Sequence, residues 1–225
     1  MGVAPEELAE VYPLLYHMAD ANSWLSICKH GLLSTSALLD LFEIKSAERR
    51  RIETERRPES VEIRNRKYGC AVVRDQKPLI ESKLAKTLAG CTVSEFHRLL
   101  NKHVFFWLTK ERLQTLLCAR AYRDKPHLVL TVETLPFVRR YQKQIVLSPM
   151  NSGNTQPFAH PRSPDIFMKM KDYPFKERAK YGEQFQVVEL AVEGGAQVNE
   201  MVKSVDLMRC HGEGMRTLKN ICCRK

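Results

Sequence analysis

The fold is decided by the stretch Leu14-Leu15-Tyr16-His17-Met18-Ala19, together with the segment 22–31 that follows it. The first part is a short apolar run, which predicts a strand that carries His17 near its end. Polar residues before 22–31 can cap a helix, and Gly31 supplies the left-handed position at which such a helix ends. A histidine near a strand end, with a helix packed behind it, is an arrangement suited to binding a nucleotide.

Composition predicts one globular domain. The chain has 225 residues, of which 44% are hydrophobic and 28% charged, enough for a sizeable core. It contains no run of eighteen apolar residues, and its N-terminus lacks the apolar region of a signal peptide. Seven cysteines, an odd number without a CxxC pair, favour reduced thiols over a disulfide framework. We therefore expect a cytoplasmic protein that does not enter the membrane.

Charge predicts the class of partner. The formal net charge is +10, from 36 basic and 26 acidic residues, and the excess is concentrated at 45–77 and 110–143. Such asymmetry indicates a polyanionic partner, either a nucleic acid or a phosphorylated ligand. The alternative is a solvated cationic surface without a dedicated partner. A non-catalytic nucleic-acid-binding domain is therefore one hypothesis for the whole chain.

The order of predicted elements favours an α+β fold in which helices pack on a mostly antiparallel sheet. A capping-box pattern at Thr92 opens a predicted helix, and the β-forming run 103–108 reads as a buried central strand. We predict one domain over 1–208, with a basic insertion at about 45–77 and a loose basic tail over 209–225. The other predicted strands are 69–73, 127–132, 144–147, 184–192 and 202–208, and the other predicted helices include 46–57, 79–88 and 110–122.

The standard catalytic motifs are absent. No HExxH, phosphate-binding glycine loop or GxSxG elbow occurs, so the sequence predicts neither a metal site nor a hydrolase of those classes. The remaining candidates for a functional role are His17 and Glu189. Glu189 is flanked by apolar residues within a predicted strand, where it either faces solvent or places a carboxylate in a cleft that can orient a hydroxyl or act as a base.

Three motifs, taken in order, resemble the DarT-type ADP-ribosyltransferases. Tyr16-His17-Met18-Ala19 with the following helix and glycine resembles the opening of that family. His103-Val104-Phe105-Phe106-Trp107 is similar to its aromatic strand, and Glu189-Leu190-Ala191-Val192 to the strand that carries its catalytic glutamate. An arginine-rich stretch at 55–57 lies between the first two. The alternative match is to a related, uncharacterised bacterial family of the same fold.

The resemblance implies the split β-sheet of ADP-ribosyltransferases, with NAD in the cleft as substrate and no metal. Glu189 would hold the ribose next to nicotinamide and stabilise the developing cation. Arg57, or Arg51 by spacing, would contact the pyrophosphate. The positions implied for NAD binding lie in or beside the first two motifs: Tyr16, His17, Ala19, Asn22, Leu33, Phe106 and Trp107.

The resemblance and the charge together imply transfer of ADP-ribose to a nucleic acid, a toxin-like activity for which an antitoxin or other regulator would be a partner. Ala19 stands where the family has threonine, and Thr109-Lys110-Glu111 where it has Arg-Ser-Pro, so the family's specificity for DNA bases is not implied. A further Arg162-Ser163-Pro164 occurs later in the chain. An enzyme resembling RNA 2′-phosphotransferases, which share the fold and the use of NAD, is an alternative.

Overall fold

A computed structural model describes residues 2–212 and 214–223, and side chains up to 221. The helices are α1 (Pro5–Val11), α2 (Trp24–His30), α3 (Thr35–Leu41), α4 (Ser46–Thr54), α5 (Glu81–Thr87), α6 (Val93–Asn101), α7 (Lys110–Leu117), α8 (Thr134–Tyr141), α9 (Phe175–Arg178) and α10 (Glu183–Gln186), with 3-10 turns at Pro164–Ile166 and Ala179–Tyr181. The strands are β1 (Leu14–Asp20), β2 (Leu32–Leu33), β3 (Val61–Asn65), β4 (Gly69–Val73), β5 (His103–Trp107), β6 (His127–Glu133), β7 (Ile145–Ser148), β8 (Met168–Lys169), β9 (Glu189–Glu193), β10 (Gly195–Ala196), β11 (Val202–His211) and β12 (Gly214–Cys223). In the part of the chain so described, no helix combines the length and the apolar character needed to cross a membrane.

The main sheet has eight strands in the order β12-β11-β6-β1-β5-β9-β7-β8, and each neighbouring pair is antiparallel. Helices pack against it, so the predicted α+β class with an antiparallel sheet is confirmed. Two-stranded sheets pair β2 with β10 and β3 with β4.

Local sequence explains where the central elements begin. The Thr92 hydroxyl accepts a hydrogen bond from the Glu95 backbone N–H, and the Glu95 carboxylate accepts one from the Thr92 N–H, which completes the predicted capping box of α6. Thr109 caps α7 in the same way, through the N–H of Arg112. Between them the run 103–107 forms β5, because its β-forming side chains fit a strand at the centre of a sheet.

The sheet is divided between β1 and β5. β1 pairs with β6 at seven positions, from Leu14 to Asp20, but with β5 only at Tyr16, opposite Trp107. Beyond that pair the two strands separate. In the gap, His17 Nδ1 lies 2.8 Å from the carbonyl oxygen of Phe105. Four strands therefore lie on each side of a partial opening in the sheet.

The two faces of the sheet carry different cores. One face carries the largest apolar cluster, which includes Leu15, Phe106 and Leu190. The other carries a smaller cluster around Met18 and Leu113, where α7 packs. The second face is only partly covered, and this is where the candidate site lies.

The basic insertion at about 45–77 is a small ordered layer with its own core. α4 packs near the β3–β4 hairpin, and Ile52, Ile63, Val73 and Phe42 are buried together. The helix predicted over 46–57 ends at Thr54, and β3 was missing from the prediction. The apolar residues of this layer are too widely spaced in sequence to reveal its core.

Three expectations require correction. The predicted loose tail over 209–225 is mostly sheet, because residues 209–211 belong to β11 and Gly214–Cys223 forms β12; residues 213, 224 and 225 lie outside the described residues. The predicted strand 184–192 starts only at 189, since 183–186 is helical. The expectation of reduced thiols throughout is wrong for one pair: Cys118 and Cys210 form a disulfide.

Candidate functional site

The candidate site is a cleft of about 1010 Å³ on the α7 face of the sheet. Its floor is formed by Phe105 and Trp107 of β5 and by Glu189 at the start of β9. One wall is α7 with the loop that follows it, and the opposite walls are the segments 74–79 and 151–157. Its volume is at the upper end of the range for ligand-binding clefts.

Strand register explains why these floor residues lie together. Trp107 is opposite Glu189 in the β5–β9 pair and opposite Tyr16 in the β1–β5 pair, and Glu189 is also opposite Ser148. Residues opposite each other in antiparallel strands point to the same face. Phe105, two residues before Trp107, follows the same alternation. The sheet therefore places a carboxylate beside two aromatic rings.

Glu189 is a buried acid with a specific backbone partner. Its side chain is 3% exposed, and its Oε2 accepts a hydrogen bond from the Ser152 N–H at 3.0 Å. Burial raises the pKa of Glu189 to about 7, although the Ser152 hydrogen bonds and the charges of Arg112 and Arg162 act in the opposite direction. The carboxyl group is therefore able to gain or lose a proton near neutral pH.

The loop that donates to Glu189 is held by a buried arginine. Arg162 is 3% exposed, and its Nη1 and Nη2 donate to the carbonyl oxygens of Ser152 and Asn154 at 2.7 and 2.9 Å. Its Nε donates to the carbonyl of His160 at 3.1 Å. One guanidinium thus binds three carbonyls of a turn-rich stretch and fixes the direction of the Ser152 N–H.

Arg112 brings a cation to the Glu189 end of the cleft. It lies in the first turn of α7, donates from Nε to the Gln184 carbonyl at 2.6 Å, and its guanidinium lies 5.1 Å from the centroid of the Phe185 ring. Burial lowers the pKa of Arg112, whereas the nearby carboxylate of Glu189 raises it. The cleft therefore contains the carboxyl group of Glu189 and the guanidinium of Arg112 close to its aromatic floor.

A second polar cluster lines the cleft and is formed by Arg74, Asp75 and Tyr122. The Tyr122 hydroxyl donates to Asp75 Oδ1 at 2.7 Å, and the Arg74 guanidinium lies 4.9 Å from the centroid of the Tyr122 ring. Arg74 Nη1 donates to the carbonyl of Met18 at 2.8 Å, within the stretch of β1 that has separated from β5. Among the described residues, Nε and Nη2 of Arg74 have no hydrogen-bond partner, so they can donate to an anion.

His17 is not brought to the same side of the sheet as Glu189. By alternation it lies with Phe106, whose ring centroid is 5.6 Å away, and neither residue lines the cleft. Burial lowers the pKa of His17 to about 4, so the ring is neutral and Nδ1 donates to the Phe105 carbonyl. Ala19 is buried on the same face. The two halves of the expected NAD clamp are thus separated by the sheet.

The two predicted arginines occupy other positions. Arg57 lines the cleft, but it is 7% exposed and its guanidinium donates to the carbonyls of Arg74 and Ile52 and to the side chain of Asn101. These hydrogen bonds hold the β3–β4 layer in place. Burial lowers the pKa of Arg57 to about 10. Arg51 is exposed on α4 and does not line the cleft. The guanidinium of Arg57 is therefore engaged within the protein, and Arg51 lies outside the cleft, so neither is placed to bind a pyrophosphate there.

The remaining predicted binding positions fall outside the cleft lining, with one exception. Trp107 is on the floor as predicted. Tyr16 points to the same face but is covered by the cluster around α7, and Asn22 is exposed near the start of α2. Leu33 belongs to β2, paired with Gly195.

Sequence reasoning missed Phe105, Arg112, Ser152 and Arg74 as cleft residues. A signal existed for Phe105, since strand alternation puts it on the face of Trp107. For the other three no local pattern distinguishes them from ordinary polar residues. Within the described ranges, no group of three or more His, Cys, Asp or Glu side chains could hold a metal ion.

Comparisons with known proteins give one family. No curated protein and no solved structure matches the chain. One family model, described as a family of unknown function, matches residues 13–205, which include the whole cleft floor. The chain therefore belongs to the DUF7002 family.

Proposed function

We propose that this protein is an NAD-dependent ADP-ribosyltransferase that acts in the cleft above β5 and β9. The observation that carries the proposal is Glu189, a buried carboxylate with a raised pKa beside an aromatic floor. The ordered resemblance of three sequence motifs to DarT-type enzymes supports it independently. The single paired position between β1 and β5 is compatible with the split sheet of that fold, which we propose as the finer description.

The proposed chemistry requires a positioned carboxylate and no metal. Transfer breaks the bond between the ribose C1′ and the nicotinamide nitrogen, which keeps the electron pair, and forms a bond from C1′ to the acceptor atom. Glu189, when ionised, would bind the ribose hydroxyl and stabilise the positive charge that develops on the ribose. The acceptor's proton would pass to Glu189, whose pKa of about 7 suits a group that takes and returns a proton at neutral pH.

The aromatic and cationic residues of the cleft suit the rest of a dinucleotide. Trp107 and Phe105 offer flat surfaces beside Glu189, where a nicotinamide ring could stack. Arg74 is our candidate for the pyrophosphate in place of Arg57 and Arg51, because its guanidinium lies over Tyr122 and its Nε and Nη2 have no partner in the part of the chain that the structure describes. These assignments replace His17 and Phe106, which lie on the other face.

The decisive experiment measures nicotinamide release and ADP-ribose transfer from labelled NAD to DNA, RNA and cell lysate. We expect Glu189→Gln to lose at least about a hundredfold of the rate, because removing one charge-stabilising group costs about 3 kcal/mol. The matched control is Glu193→Gln, an exposed glutamate at the far end of the same strand, which we expect to retain full activity. Absence of nicotinamide release with every acceptor, or equal rates for the wild type and Glu189→Gln, would exclude the proposal.

A further inference from the structure

A second cavity, of about 470 Å³, lies at the end of the β11–β12 hairpin and is lined by three arginines. Arg209 and Arg216 come from the hairpin, and Arg123 comes from the loop that follows α7. All three are exposed, and His211 and Asp124 line the same cavity. We call these three arginines the hairpin arginine cluster.

Two features of the fold assemble this cluster. Arg209 and Arg216 are directly opposite each other in the antiparallel β11–β12 pair, so both side chains point to the same face. The disulfide between Cys118 and Cys210 links the end of α7 to β11, next to Arg209. The link keeps the α7 loop, and with it Arg123, against the hairpin.

Among the described residues, the repulsion within the cluster is only weakly offset by acids. Like charges directly opposite in a strand pair are destabilising. Arg209 and Arg216 have no salt bridge among the described residues, and Arg123 has only Asp124 at 3.9 Å, an acid whose side chain is 80% exposed. By contrast, the exposed Arg139 and Arg140 are paired with acids. An external anion would remove the repulsion within the cluster.

The position of the cluster indicates an extended anion. Arg120, on the same loop as Arg123, lines the large cleft, whereas Arg209 and Arg216 alternate with Cys210 and so point away from the α7 face. The three arginines come from two separate segments around one cavity, and a chain of phosphates can contact all three at once. The net charge of +10 favours the same class of ligand.

We propose that the hairpin arginine cluster binds the phosphodiester backbone of a nucleic acid, outside the cleft in which glycosyl transfer is proposed. Backbone contacts of this kind position a nucleic acid and do not read its sequence. The binding needs neither Glu189 nor NAD, so it can hold or fail independently of the proposed enzyme activity.

The test compares two charge-matched double variants, Arg209→Gln with Arg216→Gln and, as control, Arg139→Gln with Arg140→Gln. Binding of labelled mixed-sequence DNA and RNA, single-stranded and duplex, is measured from about 50 to 200 mM salt, the range over which phosphate contacts weaken strongly. We expect the cluster variant to bind at least tenfold more weakly and to lose about 1.5 from the slope of log K against log salt, since each phosphate contact contributes about 0.7 to 0.9. The control should keep the affinity and slope of the wild type.

Three outcomes would overturn the proposal. Equal losses in both variants would mean that only net charge matters, and unchanged binding by the cluster variant would show that the cluster makes no contact. Full competition by inorganic pyrophosphate, at a concentration similar to that of nucleic acid phosphates, would identify a small-anion site instead. Circular dichroism of each variant confirms folding, and nicotinamide release from NAD, measured in parallel, reports separately on the cleft.

Discussion

Replacing Glu189 by glutamine should stabilise the protein above neutral pH while it lowers the proposed transferase activity at least about a hundredfold. Glutamine has nearly the same shape, and its carbonyl oxygen can still accept the hydrogen bond from the Ser152 N–H. The substitution removes the charge that a side chain only 3% exposed must carry at high pH. The prediction therefore isolates the energetic cost of burying the carboxylate.

The magnitude follows from the shift in pKa. Glu189 changes from the ordinary value of 4.5 to about 7 on folding, because burial disfavours the charged form. Below pH 4.5 both states hold the proton and no cost arises. Between pH 4.5 and 7 the unfolded chain releases the proton while the folded chain keeps it, so the free energy of unfolding falls as the pH rises, and above pH 7 the loss reaches about 3 kcal/mol. For a chain of this size that corresponds to roughly 6 to 12 °C in Tm.

The assay is thermal unfolding of the wild type, Glu189→Gln and Glu193→Gln from about pH 5 to pH 8.5, a range that spans the change in charge of Glu189. We expect wild-type Tm to fall relative to that of Glu189→Gln between pH 5 and 7 and the gap to stay constant above pH 7. Glu193 is exposed at the end of the same strand, so its variant should follow the wild type. Parallel curves for the wild type and Glu189→Gln would refute the buried-carboxylate argument.

Of three further predictions, two concern the surroundings of Glu189 and the third concerns the disulfide. If Glu189 must be ionised to act, kcat/KM should rise with pH up to about 7 and then level off, as a pH profile with labelled NAD would record; a flat profile would argue against this role. Arg162→Lys should lower kcat more than it raises KM and should move that profile, because lysine cannot bind the Ser152 and Asn154 carbonyls together; a change confined to Tm would leave Arg162 only a structural role. Reducing the Cys118–Cys210 disulfide, which spans 92 residues, should lower the free energy of unfolding by about 4 kcal/mol, measured by urea unfolding with and without reductant against a Cys118→Ser variant that should not respond.

The sequence predicted the framework of the fold well for elements whose signal is local. The run at 103–107 and the capping box at Thr92 were identified because propensity and capping act within a few residues. β11 was predicted only as far as Met208 and β12 was missed, although Met208 and Cys210 alternate with Arg209 and His211. Charged residues on the outer face lowered the mean hydropathy of that segment, and a sheet edge needs only one apolar face.

The site was predicted less well because it depends on contacts between distant segments. Arg57 matched an expected motif, but its donors are taken by Asn101, which lies 44 positions later, and by nearby carbonyls. Likewise, the sequence could not show that Trp107, and not Phe106, lies on the face of Glu189. That choice is fixed by the register of β5 against β9, which no single strand specifies.

The contrast between His17 and Glu189 shows how burial acts differently on an acid and on a base near a site. Burial lowers the pKa of His17 to about 4 and raises that of Glu189 to about 7, so both are pushed toward their neutral forms. For His17 this removes any charge at neutral pH and leaves a ring that ties β1 to the Phe105 carbonyl across the opening in the sheet. For Glu189 the same effect puts the change of charge in the physiological range. Glu189, which is costly to keep ionised, is therefore the residue suited to the proposed chemistry, and the neutral, half-buried His17 is suited to holding the two halves of the sheet together.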